Sequence, residues 1–411
     1  MTLNRRPRSP SDDRELRLWR VGRALSVTFL VAVLAAGGVF YGLVYLLDFQ
    51  EIDTTAKLDA KTLFDLVKLS FGVVAGAGAL VALVVAYRRQ RVDEAGAHRE
   101  ATRLHTERFS QAVDKLGSDS PAVRLGGVHA LAGLADDAPD DSLRQTCIDV
   151  LCAYLQLPFT PDPGDDPAHQ EEHHRYLALR KVRHTILRLI GDHYRRPRGT
   201  HRSWQGCDLD LTGVTIDGDM DFRGAVFSGG TVTFSGATFA DGAVSFDRAT
   251  FSDGAVWFDR ATFGGGRVSF LGATFAGGAV FFNRATFADG GVSFFGAVFG
   301  GGEVSFRHAT FGGGEVSFGD ARFSSGTVLF LDAAFVNGAV SFFGAVFGGG
   351  EVSFRRAAFS GGAVFFNRAT FTDGEVSFVD STGPAPSGLL AAVGTASEAV
   401  VLPSTWLPLN P

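Results

Sequence analysis

The 411-residue sequence has few of the residues that usually build metal, redox or nucleophilic sites. Its only cysteines, Cys147, Cys152 and Cys207, have the spacing of neither a metal site nor a redox motif, so we expect reduced structural thiols. No nucleophile is accompanied by a matching base, and no pair of carboxylates stands in an ordered setting. The net charge of −6 does not point to a polyanionic ligand for the chain as a whole. We therefore predict no catalytic residue and no enzyme activity.

The remaining composition gives little sign of a cofactor. Glycine triplets at 264–266, 300–302, 312–314 and 348–350 lack the Lys-Ser/Thr that completes a phosphate-binding loop. Histidines at 169, 173 and 174 lie among acidic residues and could bind a metal, but their spacing is more typical of a polar loop. We predict neither cofactor nor metal. Arginine far outnumbers lysine among the 38 basic residues, which is typical of a GC-rich bacterial genome.

What the sequence does contain is a twelve-residue unit repeated thirteen times between residues 225 and 378, Phe-x-x-Gly-x-Val-x-Phe-x-x-Ala-x. The first Phe recurs every twelve residues from Phe227 to Phe371, and the second follows seven residues later, from Phe234 to Phe378. A fixed period of this kind is typical of a stacked repeat fold. The Ala-x-Phe and Val-x-Phe pairs predict short half-buried strands, and the invariant Gly predicts a corner with positive φ.

Two architectures fit this pattern. A meander of β-hairpins is one, because Asp-Gly between alternating apolar residues is a strong hairpin signal. It would leave a face of Phe and Val that no other part of the chain covers. A solenoid buries that face internally, and twelve residues enclose too little space for two Phe, a Val and an Ala. The sequence therefore favours a β-solenoid of 24 residues and four faces per coil, with about 4.8 Å between coils.

The five-residue pattern of these pairs, small-x-large-x-x, resembles that of the pentapeptide-repeat family. Less regular pentapeptides precede the repeats, with Leu211, Ile216 and Phe222 at large positions and Val214 and Met220 before them. The resemblance covers about two fifths of the chain and implies a right-handed, four-sided β-helix. Here every second pentapeptide is extended by two residues that include the Gly. The usual 20-residue coil is thus replaced by the predicted 24-residue one.

Two apolar runs precede the repeats. Residues 24–47 contain no charge, and residues 69–87 form a second uncharged run that ends in Arg88 and Arg89. Each is long enough to cross a bilayer as a helix, and the second run makes a cleaved signal peptide the less favoured alternative. We predict a basic N-terminus at 1–23, a transmembrane hairpin at 24–91, and a bacterial cell-membrane location with both termini cytoplasmic.

Between this hairpin and the repeats, residues 92–202 predict a small helical unit next to the membrane. Three amphipathic helices follow Ser120-Pro121, the loop at 136–141 and the loop at 158–166. The last is basic. The basic residues of this helix and its C-terminal end could contact anionic lipid headgroups, or they could form a solvated face. These residues are Arg180, Lys181, Arg183, Arg188, Arg195 and Arg196. Nucleic acid is not expected, because no aromatic platform is interleaved with these charges.

The outward positions of the predicted solenoid, 203–382, offer a candidate partner surface. With two units per coil, apolar residues beside the second Phe align into two columns, Trp257, Phe281 and Leu329 in one and Leu271, Phe295 and Phe343 in the other. Outward apolar columns suggest contact with a protein, including a second copy of the chain. Leu331 and Phe365 break the pattern, so a chance arrangement stays open.

Three functions remain. The first is a non-catalytic, membrane-tethered scaffold that presents the solenoid to a protein partner. The second follows from the resemblance, since some members of the family mimic DNA and protect topoisomerases, but residues 225–380 are far less acidic than that mimicry needs. The third is an enzyme or transporter, for which no site is visible. The tail, 383–411, predicts a short helix, an extended piece and a cap on the last coil that includes Trp406.

Overall fold

A computed structural model describes residues 60–407 apart from 161, 165 and 395–397, together with isolated positions between 27 and 45. The chain divides into two compact units, residues 1–101 and 102–411. The helices, labelled α1 to α5 in chain order, are Ala60–Leu116, Pro121–Asp136, Asp141–Gln156, Gln170–Tyr194 and Leu389–Val393. Short 3₁₀ turns occupy Pro167–His169 and Ser404–Trp406.

The structure contradicts the predicted membrane anchor. Among the described residues, no helix combines the length and the apolar character that crossing a bilayer requires. The transmembrane hairpin and the multi-pass location inferred from it are therefore wrong on this finding. Residues 69–87 belong to α1, a continuous helix of 57 residues that carries charges before this run, at Lys61 and Lys68, and after it, from Arg88 onward. The other predicted span, 24–47, and the basic N-terminus lie largely outside the described residues.

Within the second unit, α2, α3 and α4 pack together with the end of α1, as the amphipathic patterns predict. Pro121 begins α2, and the Asp140 carboxylate caps α3 by accepting a hydrogen bond from the Leu143 amide. A Cβ atom on Gly127 of α2 would lie 2.6 Å from the Leu116 amide nitrogen, so this glycine allows α1 and α2 to cross closely. The apolar face of the helical unit is buried at Ala112, Leu116, Val128, Leu131, Cys147, Ile148, Leu151, Val182 and Ile186.

The repeats form a β-solenoid in which all strands are parallel and consecutive coils pair in register. Thr262-Phe263 pairs with Thr286-Phe287, a shift of 24 residues, and this register confirms two repeat units per coil. Two seven-stranded sheets and one twelve-stranded sheet make up the walls. The first small sheet contains Thr215–Ile216, Thr238–Phe239, Thr262–Phe263, Thr286–Phe287, Thr310–Phe311, Ala334–Phe335 and Ala358–Phe359. The second contains Met220–Asp221, Ala243–Ser245, Arg267–Ser269, Gly291–Ser293, Glu315–Ser317, Ala339–Ser341 and Ala363–Phe365.

The large sheet is two walls that merge in the later coils, which gives the predicted four faces. One wall begins with Val226–Phe227, Thr250–Phe251 and Thr274–Phe275, and the other with Leu209–Asp210, Thr231–Thr233, Ala255–Trp257 and Ala279–Phe281. Four longer strands then run through both walls, Val298–Ser305, Arg322–Leu329, Val346–Ser353 and Thr370–Ser377. The glycine corner lies inside each of these strands, where the register shifts, for example between Gly300 and Glu303.

Phenylalanine fills the interior. All the first and second Phe of the repeats are buried, as are the Val and Ala that precede them. The rings form four ladders along the coil axis, with centroids 4.6 to 4.9 Å apart between consecutive coils. The irregular pentapeptides at Leu211, Val214, Ile216 and Met220 also point inward. The inward pattern predicted from the sequence is therefore confirmed.

Each end of this interior is covered. At the first coil, Tyr194 of α4 packs edge-on against Phe222 and lies 5.6 Å from Phe227. At the last coil, Val400–Val401 adds a strand to Val376-Ser377, and the Trp406 indole lies 5.6 Å from the Phe378 ring. These contacts lie at the end that the tail, 383–411, was predicted to cap, and its capping role stays a prediction. The helical unit acts as the N-terminal cap, a role that was not predicted from the sequence.

Candidate interaction surface

The predicted column of Leu271, Phe295 and Phe343 lies along one outer edge of the solenoid. Leu271 and Phe295 lie on consecutive coils, and Phe343 lies two coils further on, because Gly319 occupies the level between them. The backbone holds this alignment through hydrogen bonds from one coil to the next, such as the 2.9 Å bond from the Asp320 amide to the Phe343 carbonyl. The three side chains are 43%, 45% and 45% exposed. They form what we call the Phe295 column.

One level of the Phe295 column, at Gly319, has no outward side chain of its own. Gly319 has no side chain, and a Cβ atom there would lie 3.0 Å from the Phe295 ring, which leans into this level. At the other end, the Arg368 guanidinium lies 5.3 Å from the centre of the Phe343 ring. The Arg368 guanidinium therefore covers part of Phe343, while the Phe295 ring covers the level at Gly319.

The second predicted set offers less accessible surface. Trp257 and Phe281 stack on consecutive coils with ring centres 4.3 Å apart, and both are half-buried. Ser305 occupies the next level, and Leu329 beyond it is buried, with 6% exposure. Alignment in a column is thus observed for this set too. Leu329, however, adds no exposed apolar area to it.

Two residues of the predicted basic cluster hold α4 against the first coil. Arg180 donates to the Asp217 carboxylate at 2.9 Å, and Arg183 is buried with hydrogen bonds to the carbonyls of Leu155 and Thr215. Burial lowers the pKa of Arg183, although the nearby Asp217 charge favours the protonated form.

The rest of the cluster is closer to solvent. Arg188 and Arg195 both pair with Asp192, and Arg195 also lies 3.2 Å from Asp221. Lys181 is exposed, and Arg196 donates to the Arg202 carbonyl. Lipid contact by this cluster stays a prediction.

A groove that was not predicted from the sequence follows another corner of the solenoid, half a coil away from the Phe295 column. It has a volume of about 710 Å³ and is lined by Thr212, Gly213, Ser235, Gly236, Asp259, Arg260, Asn283, Arg284, Arg307 and His308. Arg260, Arg284 and His308 occupy equivalent positions at 24-residue spacing, so they stand on three consecutive coils. Reading the sequence at the coil period rather than the repeat period would have found this column.

The cysteines and histidines do not assemble a reactive site in the described part of the chain. Burial raises the pKa of the Cys147 thiol to about 11 and that of Cys152 to about 12. The Cys147 sulfur lies 3.8 Å from His105 Nε2, but burial lowers the pKa of His105, so this pair stays neutral. His173 binds Asp162 at 2.7 Å, and no group of three or more metal-ligating side chains is found among the described residues.

The chain was compared with known protein families, curated proteins and solved structures. No protein family matches the chain, no curated protein is significantly similar to it, and no solved structure resembles it significantly. Its class is therefore defined by the fold alone, as a parallel β-solenoid with 24-residue coils and a helical unit against its first coil.

Proposed function

We propose that this chain is a non-catalytic protein of the pentapeptide-repeat type, and that its solenoid is a scaffold for binding a protein partner. The 24-residue coil, with an inward small and large residue on each of four faces, supports the kinship. The rigid stack of phenylalanine ladders presents outward side chains at fixed spacing, which suits a binding platform better than a moving catalytic site.

The Phe295 column is the observation on which this proposal rests. Large apolar side chains that stay more than 40% exposed on an otherwise polar edge are typical of a surface that another protein covers. The Phe295 ring leans over Gly319 and the Phe343 ring follows one coil beyond, so the two exposed rings offer a partner a continuous apolar strip. Aromatic groups in such positions commonly contribute most of the binding energy.

Photo-crosslinking in the cells that make the protein tests this directly. A benzoyl-phenylalanine replaces Phe295 in the full chain, and the matched control carries it at Val336, an apolar residue 38% exposed on a different corner. We expect a discrete crosslinked protein from position 295 only, with a yield that Phe343→Ser lowers. Equal crosslinking from both positions, or none from 295, contradicts the proposal. A crosslinked product of twice the chain mass would identify the partner as a second copy.

The topoisomerase alternative ranks lower for a structural reason. A DNA mimic presents an acidic surface, whereas the groove beside Ser235 is lined by Arg260, Arg284 and Arg307. Protection of a DNA gyrase from its inhibitors by the purified chain would reverse this ranking.

A further inference from the structure

The corner groove concentrates three arginines that form no ion pair with a carboxylate among the described residues. Within the described part of the chain, no carboxylate lies within 4.0 Å of the guanidinium nitrogens of Arg260, Arg284 or Arg307. His308 adds a fourth basic side chain, 3.9 Å from Asp332. Consecutive coils are separated by about 4.8 Å, so the arginine charges stand close enough to repel one another.

On the coil after His308, the same column carries an acid that pairs with an arginine. Asp332 accepts two hydrogen bonds of 2.7 Å from Arg356, and Asp380 follows one coil beyond. Acidic residues and arginines can therefore alternate from coil to coil at this corner. The first three levels, Arg260, Arg284 and His308, instead place bases side by side, which makes the groove a separate electrostatic feature of the solenoid.

The backbone gives no reason for arginine at these levels. Arg260 and Arg284 have φ values of +58° and +60°, the left-handed region in which a side chain costs about 1 kcal/mol or more relative to glycine. Glycine occupies the equivalent position one coil earlier, where Gly236 has φ +67°. Arginine also adopts this conformation outside the groove, at Arg248, Arg356 and Arg368, so the significance of Arg260 and Arg284 lies in their position beside Arg307 in one groove.

We propose that this groove binds a small molecule carrying two or three linked phosphate groups. Guanidinium groups bind phosphate oxygens in a bidentate manner, and Arg260 and Arg284 on consecutive coils with Arg307 in the adjacent column match a short chain of phosphates better than a single anion. The Ser235 hydroxyl and the Asn283 amide supply neutral hydrogen-bonding groups in the same groove. Its volume of about 710 Å³ lies in the range of small-molecule sites.

Asp259 is the one acidic group lining the groove. It accepts a 3.1 Å hydrogen bond from the Asn283 backbone amide. Burial raises the pKa of Asp259, against the opposing effects of that hydrogen bond and of the Arg260 and Arg284 charges. This carboxyl therefore opposes an anion less than an exposed carboxylate would.

Calorimetric titration of the full chain with inorganic triphosphate at constant ionic strength tests the site. The variant Arg260→Gly/Arg284→Gly removes two charges while it relieves the left-handed backbone. The control Arg248→Gly/Arg368→Gly removes the same charge at equivalent left-handed positions outside the groove, with φ +56° and +60°. We expect one triphosphate per chain, at least tenfold weaker binding in the groove variant, and a change of less than twofold in the control.

Three results would overturn the proposal. The first is that the wild-type chain does not bind triphosphate. The second is that both double variants weaken binding equally, which would mean that only net charge matters. The third is that sulfate binds as tightly as triphosphate, which would exclude linked phosphates as the recognised group. None of these results depends on whether the Phe295 column binds a protein.

Discussion

A Cβ atom on Gly290 would lie 2.6 Å from the carbonyl oxygen of Gly266, which is the equivalent residue one coil earlier. The same relationship recurs at all thirteen invariant glycines, since a Cβ on each would lie within 3.3 Å of backbone in the preceding coil. Only some of them have positive φ, and Gly290 is not among those that do. Close backbone stacking, in addition to the turn, therefore accounts for glycine at this position in every repeat.

Gly290→Ala should destabilise the solenoid by about 1–3 kcal/mol, because the added methyl group overlaps a backbone carbonyl that cannot move without shifting a coil. The adjacent Gly291 provides a matched control. A Cβ there would meet only the Arg267 side chain at 3.8 Å, so Gly291→Ala should leave stability unchanged or slightly higher. Urea denaturation of the two variants measures the difference, and equal stability would show that the turn alone selects glycine.

Trp406→Ala should destabilise the last coil by about 3–5 kcal/mol and promote aggregation. The indole packs against Phe359 and Phe378, and its Nε1 donates a 2.8 Å hydrogen bond to the Gly383 carbonyl. Its removal would expose the apolar end of the phenylalanine ladders to other chains. Thermal unfolding and light scattering measure both effects.

The neighbouring Leu407 is the control for this cap, because its side chain is 52% exposed. Leu407→Ala should unfold at the wild-type temperature and remain monodisperse in light scattering. If Trp406→Ala behaved in the same way, the last coil would not depend on the indole for its stability.

Much of this architecture could be predicted because the repeat is so regular. Inward positions, the 24-residue coil and the capping role of Trp406 all follow from the spacing of Phe and from the need to cover the last coil. The left-handed corners were predicted only in part. Non-glycine residues such as Arg260 and Asp332 also adopt positive φ, and an arginine gives no local signal for that conformation.

The first coil and its cap could not be predicted in this way. Arg183 and Tyr194 of α4 are matched to the solenoid by long-range packing, which no periodicity records. A Cβ atom on Gly191 would lie 2.7 Å from the Asp221 carbonyl oxygen, and only the folded contact reveals why glycine stands there. The uncharged run at 69–87 was misread for a related reason, since local composition does not show that it continues into the long, charged helix α1.

Phe311→Ser should be among the most damaging single changes in the chain. The Phe311 ring is fully buried between Phe287 and Phe335, with centroid distances of 4.7 Å on either side. The substitution removes a ring from the ladder and buries a hydroxyl group, so we expect a loss of at least about 3 kcal/mol. His169→Ser, at an exposed position that makes no side-chain cap to α4, should change stability by less than about 0.5 kcal/mol. Equal urea midpoints would contradict the ladder as the source of stability.

Acid should weaken the contact between α4 and the first coil through Asp217. Burial alone would raise the pKa of this carboxyl, but hydrogen bonds from His184 and Arg180 outweigh it and lower the pKa from 3.8 to about 2. Because the folded pKa is the lower one, the stabilisation is complete above pH 4 and is lost as the pH falls toward 2. The shift corresponds to about 2 kcal/mol.

Asp217→Asn removes this titration, so its unfolding free energy should lie about 2 kcal/mol below the wild-type value at pH 6 and approach it near pH 2. Urea denaturation at pH 6, 4 and 2.5 measures the convergence. Tryptophan fluorescence reports on the contact, because Trp204 is buried beside α4 and stacks on His193 at 4.1 Å. A constant difference between variant and wild type across these pH values would mean that Asp217 stabilises the interface by its shape and hydrogen bonds rather than by its charge.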